Sequence, residues 1–180
     1  MKRICLIFLP IVASFGLPMQ AQMRASTPST PKTGFTLTIS IMQPTAQVEE
    51  IGPVIVKEKN ITDHLVNNSR SGLGPCFWYK IDVIRNGIQV PKTKDMILRE
   101  TPPKGVHTDV SPFLLTMNPG DEDQFEVPVS ECYDMTQPGD YQITFIWERT
   151  EPDNPNKIIQ IKSNTITITV LPAEERKPTE

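Results

Sequence analysis

Histidine and cysteine are scarce in this 180-residue chain, which has two of the first and three of the second. His64 follows Asp63 and His107 precedes Thr108-Asp109, so neither belongs to an HExxH or HxxxH pair. That spacing excludes a helix-borne zinc site, and turn residues account for both histidines. The serine elbow GxSxG and the phosphate-binding GxxxxGK[ST] and GxGxxG loops are also missing. Neither charge sign dominates: 18 basic against 21 acidic side chains give a net charge of -3. A nucleic-acid binder needs a basic face that this balance does not supply. No catalytic residue, metal ligand or cofactor is therefore expected.

Long apolar runs are confined to the start. Lys2 and Arg3 precede Ile4–Ile11 (ICLIFLPI), and Val12–Leu17 continues the run until polar residues begin at Gln20. A positive segment before a short apolar core has the form of a signal peptide over 1–21, cut at or near Ala21. The run is short for a membrane span of about 20 residues, and Pro10 and Pro18 interrupt it. The expected location is secreted or periplasmic, with no span after cleavage. Residues 22–33 (QMRASTPSTPKT) lack apolar periodicity and read as a Ser/Thr/Pro linker. Residues 172–180 read as a disordered tail.

Proline is plentiful, at 18 residues, which disfavours a helical bundle. What fills 34–171 is alternation. Phe35, Leu37, Ile39 and Ile41 share one strand face. Pro53–Ile61 starts as a second strand, but Glu58 falls on the face of Val54 and Val56. Either a bulge changes the phase there, or the strand has left the core. Asn60–Ser71 is polar and turn-rich. Cys76–Arg85 alternates with Phe77, Tyr79, Ile81 and Val83 inward, and Asn86-Gly87 then marks a type I′ hairpin. Lys92–Pro112 is polar and without a clear element. Phe113–Leu115 is a short strand, Asn118–Gly120 a turn and Gln124–Val129 another strand. Ser130–Met135 fits one helical turn with Ser130 as N-cap. Tyr141–Trp147, Ile158–Ile161 and Thr165–Val170 complete the set, with Trp147 in the core. Seven to eight short strands, turns of Gly and Pro, and no convincing helix define an all-β, immunoglobulin-like antiparallel β-sandwich.

Cys76 and Cys132 remain after signal removal. In an exported chain they are expected to pair, a cross-link worth about 4 kcal/mol in the loop-entropy model. The alternative is two separate buried thiols. Tyr141, just after Pro138-Gly139, fits a tyrosine corner. Trp78 points to the face opposite Phe77 and Tyr79, where it either binds a partner or sugar ring or packs under a loop. Asp121-Glu-Asp123 reads as a solvated loop that blunts an edge strand. Asn60-Ile-Thr62 and Asn67-Asn-Ser69 match the glycosylation pattern but serve as turn residues in a bacterial host.

The stretches Asn118-Pro-Gly120, Cys132-Tyr-Asp134, Pro138–Ile143 and Ser163–Val170 resemble secreted bacterial immunoglobulin-like proteins. They also resemble the N-terminal β-sandwich region of deuterolysin-type metallopeptidases. The absent HExxH leaves that family's peptidase activity behind. The resemblance implies an accessory, inhibitory or interaction module. The expected function is non-catalytic binding of another secreted or envelope protein. The alternatives are a protease inhibitor or propeptide-like module with Lys92–Pro112 as its contact, and a glycan-binding module using Trp78. If Cys76 and Cys132 are bridged, reduction should raise the intact mass by about 2 Da and only then expose thiols. Two alkylatable thiols in the native protein would contradict the pairing.

Overall fold

The computed structural model describes residues 34–105, 111–151 and 154–172. The expected signal peptide and linker, and the tail beyond Pro172, lie outside the described residues. The fold is all-β. Its strands are β1 (Phe35–Ser40), β2 (Thr45–Gln47), β3 (Val54–Asn60), β4 (Val66–Arg70), β5 (Lys80–Arg85), β6 (Ile88–Gln89), β7 (Phe113–Met117), β8 (Glu122–Val127), β9 (Gly139–Glu151) and β10 (Asn154–Leu171). Two short helices, α1 (Lys94–Glu100) and α2 (Val129–Cys132), interrupt them.

The strands form sheets ordered β1-β3-β8, β2-β10-β9-β5-β6 and β4-β7, all antiparallel except β2 on β10. The described strands thus exceed the expected seven to eight. β2 is only three residues long, and β4 hides because two of its three buried positions, Asn68 and Arg70, are polar. Conversely, Ile158–Ile161 and Thr165–Val170 are parts of one strand. Its register shifts between Lys162 and Thr165 without ending it.

One apolar cluster draws on all three sheets. β1 contributes Phe35, Leu37 and Ile39, β3 Val54 and Val56, β5 Ile81 and Val83, β9 Tyr141, Ile143 and Phe145, and β10 Ile168 and Val170. Trp147 joins it, edge-on to Phe35 at 5.0 Å. The strict alternation of these strands is what one buried face requires. At the bulge in β10, Asn164 turns its amide toward the edge of β1. The Ile39 N–H donates to Asn164 Oδ1 at 2.8 Å, and Asn164 Nδ2 donates to the Ile39 carbonyl at 2.9 Å. One side chain thereby imitates a paired strand and ties the three-stranded sheet to the five-stranded one. Ser163 repairs the ladder on the other side, its Oγ accepting from the Phe145 N–H at 2.9 Å.

β3 and β4 run opposite β8 and β7 as one long ribbon with a bend in the middle. Val54–Lys59 pair with Val127–Glu122, and Val66–Arg70 pair with Met117–Phe113. Asn60 holds the bend. Its fully buried side chain donates to the His64 and Met117 carbonyls, both at 3.0 Å, and accepts from the Thr62 N–H and hydroxyl. Across from it, the Asn118-Pro-Gly120 turn closes through an Asp121 N–H to Asn118 carbonyl bond. Gly120 sits at φ 84°, where a Cβ would be strained. Asn86 and Gly87 take φ 52° and 78°, the two positive angles that the type I′ hairpin demands.

Asn60→Ala should cost about 2–3 kcal/mol in urea unfolding, because it orphans buried partners. Asn67→Ala, at the exposed Thr116 contact, should cost less than about 0.5 kcal/mol. Equal effects would contradict the role given to Asn60.

Candidate interaction surface

The bend lays Arg70 of β4 over β3 and β8. Its guanidinium is buried, pairs with Glu58 Oε2 at 2.5 Å and with Asp123 at 3.1 Å, and lies over the rings of Trp78 (4.5 Å) and Phe125 (4.6 Å). The Tyr79 hydroxyl donates to the other Glu58 oxygen. Glu58 therefore neither marks a bulge nor leaves the core: the β3 register is continuous, and its carboxylate has buried partners. Burial pushes the Glu58 carboxyl above its ordinary value, against the pull of Arg70 and the Tyr79 hydrogen bond. The Tyr79 hydroxyl is pushed far up, first by burial and then by the Glu58 charge. A second arginine, Arg149, stacks over Phe35 at 4.5 Å and Trp147 at 5.0 Å, and burial lowers its pKa.

Trp78 belongs to this cluster. Instead of starting a strand, residues 75–77 form a 3-10 turn after Gly74 at φ 106°, and β5 begins only at Lys80. The half-buried indole donates to the Ser71 carbonyl at 2.7 Å, meets Phe113 and Phe125 edge-on, and has one face covered by Arg70. These contacts pack Trp78 against the ribbon.

The other expected site residues have these places. Cys76 and Cys132 are bridged, Cα to Cα 6.5 Å, joining the 3-10 turn to α2. The Tyr141 hydroxyl donates to the Gln137 carbonyl at 2.6 Å, four residues back. His64 is exposed beside Asp63, and His107 lies outside the described residues. The acidic triplet is less free than a solvated loop. Asp121 caps the turn, Glu122 pairs with Lys59 at 2.9 Å, and Asp123 holds Arg70. Hydrogen bonding and charge from Lys59, then Lys57, lower the Glu122 carboxyl. The Asn60 sequon is inside the protein, whereas Asn67 is exposed.

Lys92–Pro112 departs most from expectation, because α1 occupies its first half. Its apolar residues Met96, Ile97 and Leu98 are consecutive and so show no helical period. Thr93 caps it, accepting from the Met96 N–H at 3.2 Å and donating to the Glu131 carbonyl at 2.7 Å. The Thr93 N–H donates to the Cys132 carbonyl, and Lys92 pairs with Glu100. α2 starts at Val129 behind Pro128, so Ser130 lies inside it and is not its cap. The helices and the disulfide form one braced unit. Only Met96 of α1 is buried, while Ile97 and Leu98 are 51% and 55% exposed.

An open cavity of about 850 Å³ lies between this unit and β5, lined by Trp78, Asp82, Lys92, Glu100 and Tyr133 among others. The Tyr133 hydroxyl donates to the Ile81 carbonyl at 2.6 Å. Burial, followed by the charges of Glu100 and Asp82, pushes it up to about 12, so it stays protonated. Among the described residues no group of histidines, cysteines or carboxylates could hold a metal ion, and no helix is long and apolar enough to cross a membrane. No family model and no curated protein matches the chain.

Arg70→Met leaves Glu58 and Asp123 facing each other in a buried site and should cost about 3–5 kcal/mol. The double variant Glu58→Leu/Arg70→Met should recover at least half of that. A carboxyl whose folded pKa is raised contributes stability below its unfolded value and loses it as pH rises through the folded one. Removing Arg70 raises Glu58 further, so the Arg70→Met deficit should shrink as pH falls toward 4.5. Urea midpoints that show a pH-independent deficit would contradict this.

Proposed function

We propose that the chain is a non-catalytic, exported, immunoglobulin-like module that binds another secreted or envelope protein. The braced helix α1 carries this reading. A seven-residue helix does not persist on its own. Here Thr93, the backbone bond to Cys132, the Lys92–Glu100 pair and the disulfide all act to hold it. Its burial of Met96 alone is a small return for so many restraints. What they preserve is the outward display of Ile97 and Leu98 on a fixed backbone, and apolar side chains held in place lose little entropy when a partner covers them.

The immunoglobulin-like assignment is supported by the Tyr141 hydrogen bond and by the antiparallel sheets packed around one core. Export is supported by the N-terminal pattern of charge and apolar residues and by the Cys76–Cys132 bridge. A sugar ring would have only the face of Trp78 that Arg70 leaves uncovered, which favours the protein-binding reading over the glycan alternative.

Cross-linking of the mature chain in native envelope and secreted extract, read by mass spectrometry, tests the proposal. The Ile97→Asp/Leu98→Asp variant should keep its thermal midpoint and lose capture of the enriched protein at least about tenfold, equivalent to about 1.4 kcal/mol. Equal capture by the variant and the wild type would contradict it.

A further inference from the structure

Six strands end a sheet among the described residues, and five of these edges are protected. β1 is closed by the Asn164 amide. β2 and β6 are three and two residues long. β8 carries Glu122, Asp123 and Glu126, and β4 is polar through Asn67, Asn68, Ser69 and Arg70. β7 has none of these devices. Its five residues, Phe113-Leu-Leu-Thr-Met117, include no charge, proline or glycine, and Phe113 and Leu114 are 46% and 63% exposed.

Both ends of β7 are fixed. Phe113 pairs with the clamped Arg70 and meets the Trp78 ring at 5.7 Å, while the Met117 carbonyl accepts from the buried Asn60 amide. The strand is thus an extended template with little conformational entropy left to lose on binding.

We propose that the edge of β7 left unpaired among the described residues receives an extended segment of the partner protein, added as a third strand to the β4-β7 sheet. This rests on the interaction-module reading and names the form of the partner. A row of unpaired backbone N–H and C=O groups is matched only by another extended backbone. The uncharged side chains of β7 select a segment with uncharged, alternately apolar residues, because like positions on neighbouring strands touch. A second copy of this chain is a poor occupant. Five residues of strand span about 17 Å, so edge-to-edge contact of two such strands covers on the order of a few hundred Å², against about 1,200 Å² for a stable dimer. A flexible segment needs no such area, since main-chain bonds and side-chain contacts hold it locally.

The test adds a soluble strand peptide of alternating valine and threonine to the whole chain and reads amide hydrogen exchange. The peptide should slow exchange of the β7 amides that are not bonded to β4 at least about tenfold. The same peptide with alternate amides N-methylated should not. Leu114→Lys, and independently Thr116→Lys, should abolish the protection without moving the unfolding midpoint, since both side chains are exposed. Absent protection, equal protection by the N-methylated peptide, or a solution dimer dissolved by Leu114→Lys would each overturn the inference. Partner capture separates the two proposals. If it survives Leu114→Lys and Thr116→Lys but fails with Ile97→Asp/Leu98→Asp, the edge is wrong and the interaction module stands. If it survives all of these variants, both are wrong.

Discussion

A guanidinium packed against two aromatic rings decides how the β3-β4/β7-β8 ribbon lies. Arg70 brings its charge into a site walled by Trp78 and Phe125, and Glu58 and Asp123 supply the counter-charge. Desolvating these groups is expensive, and the attraction between them returns roughly what burial costs. The cluster is therefore poor evidence of extra stability. Its value is in registry. A slip of β4 by one residue would turn Arg70 to solvent and leave two carboxylates without a cation. The stacked rings add a preference of about 2 kcal/mol for a desolvated cation over an apolar side chain.

Other features of the molecule follow from that placement. With Arg70 in position, Trp78 is fixed over the ribbon, and the 3-10 turn just before it, which carries Cys76, is fixed with it. The disulfide passes the constraint to α2, and Thr93 passes it to α1. Asn60 does the same at the bend and sets the far end of β7. A chain of hydrogen bonds and one disulfide thus runs from the core to two surface elements with exposed apolar residues, α1 and β7. The interior is specified by apolar alternation, and these surfaces by a few paired polar groups.

Much of this was legible in the residues. β1, β5, β9 and the end of β10 follow period-two alternation, and the Asn86-Gly87 turn has the dihedral angles its sequence demands. Glu58 was legible as a conflict, an acid on an apolar face, but its resolution depended on Arg70, twelve residues away in a stretch that reads as turns. Nothing local marks Arg70 as buried, because the inward positions of β4 beside it include the polar Asn68. α1 escaped notice because Met96, Ile97 and Leu98 are consecutive, and long-range brackets, not a buried stripe, stabilise it. Pairing of distant polar residues decides Glu58, β4 and α1, and no periodicity encodes it.

The central claim is that Arg70 makes the outer half of the ribbon part of the core. Native-state hydrogen exchange of the unmodified chain tests it most directly. The account predicts that β4 and β7 amides bonded to each other open only with β9 and β10, at the free energy of global unfolding. Exchange of β4 and β7 through a separate opening several kcal/mol cheaper, with β9 and β10 still protected, would show that the ribbon is held without the clamp and would contradict it.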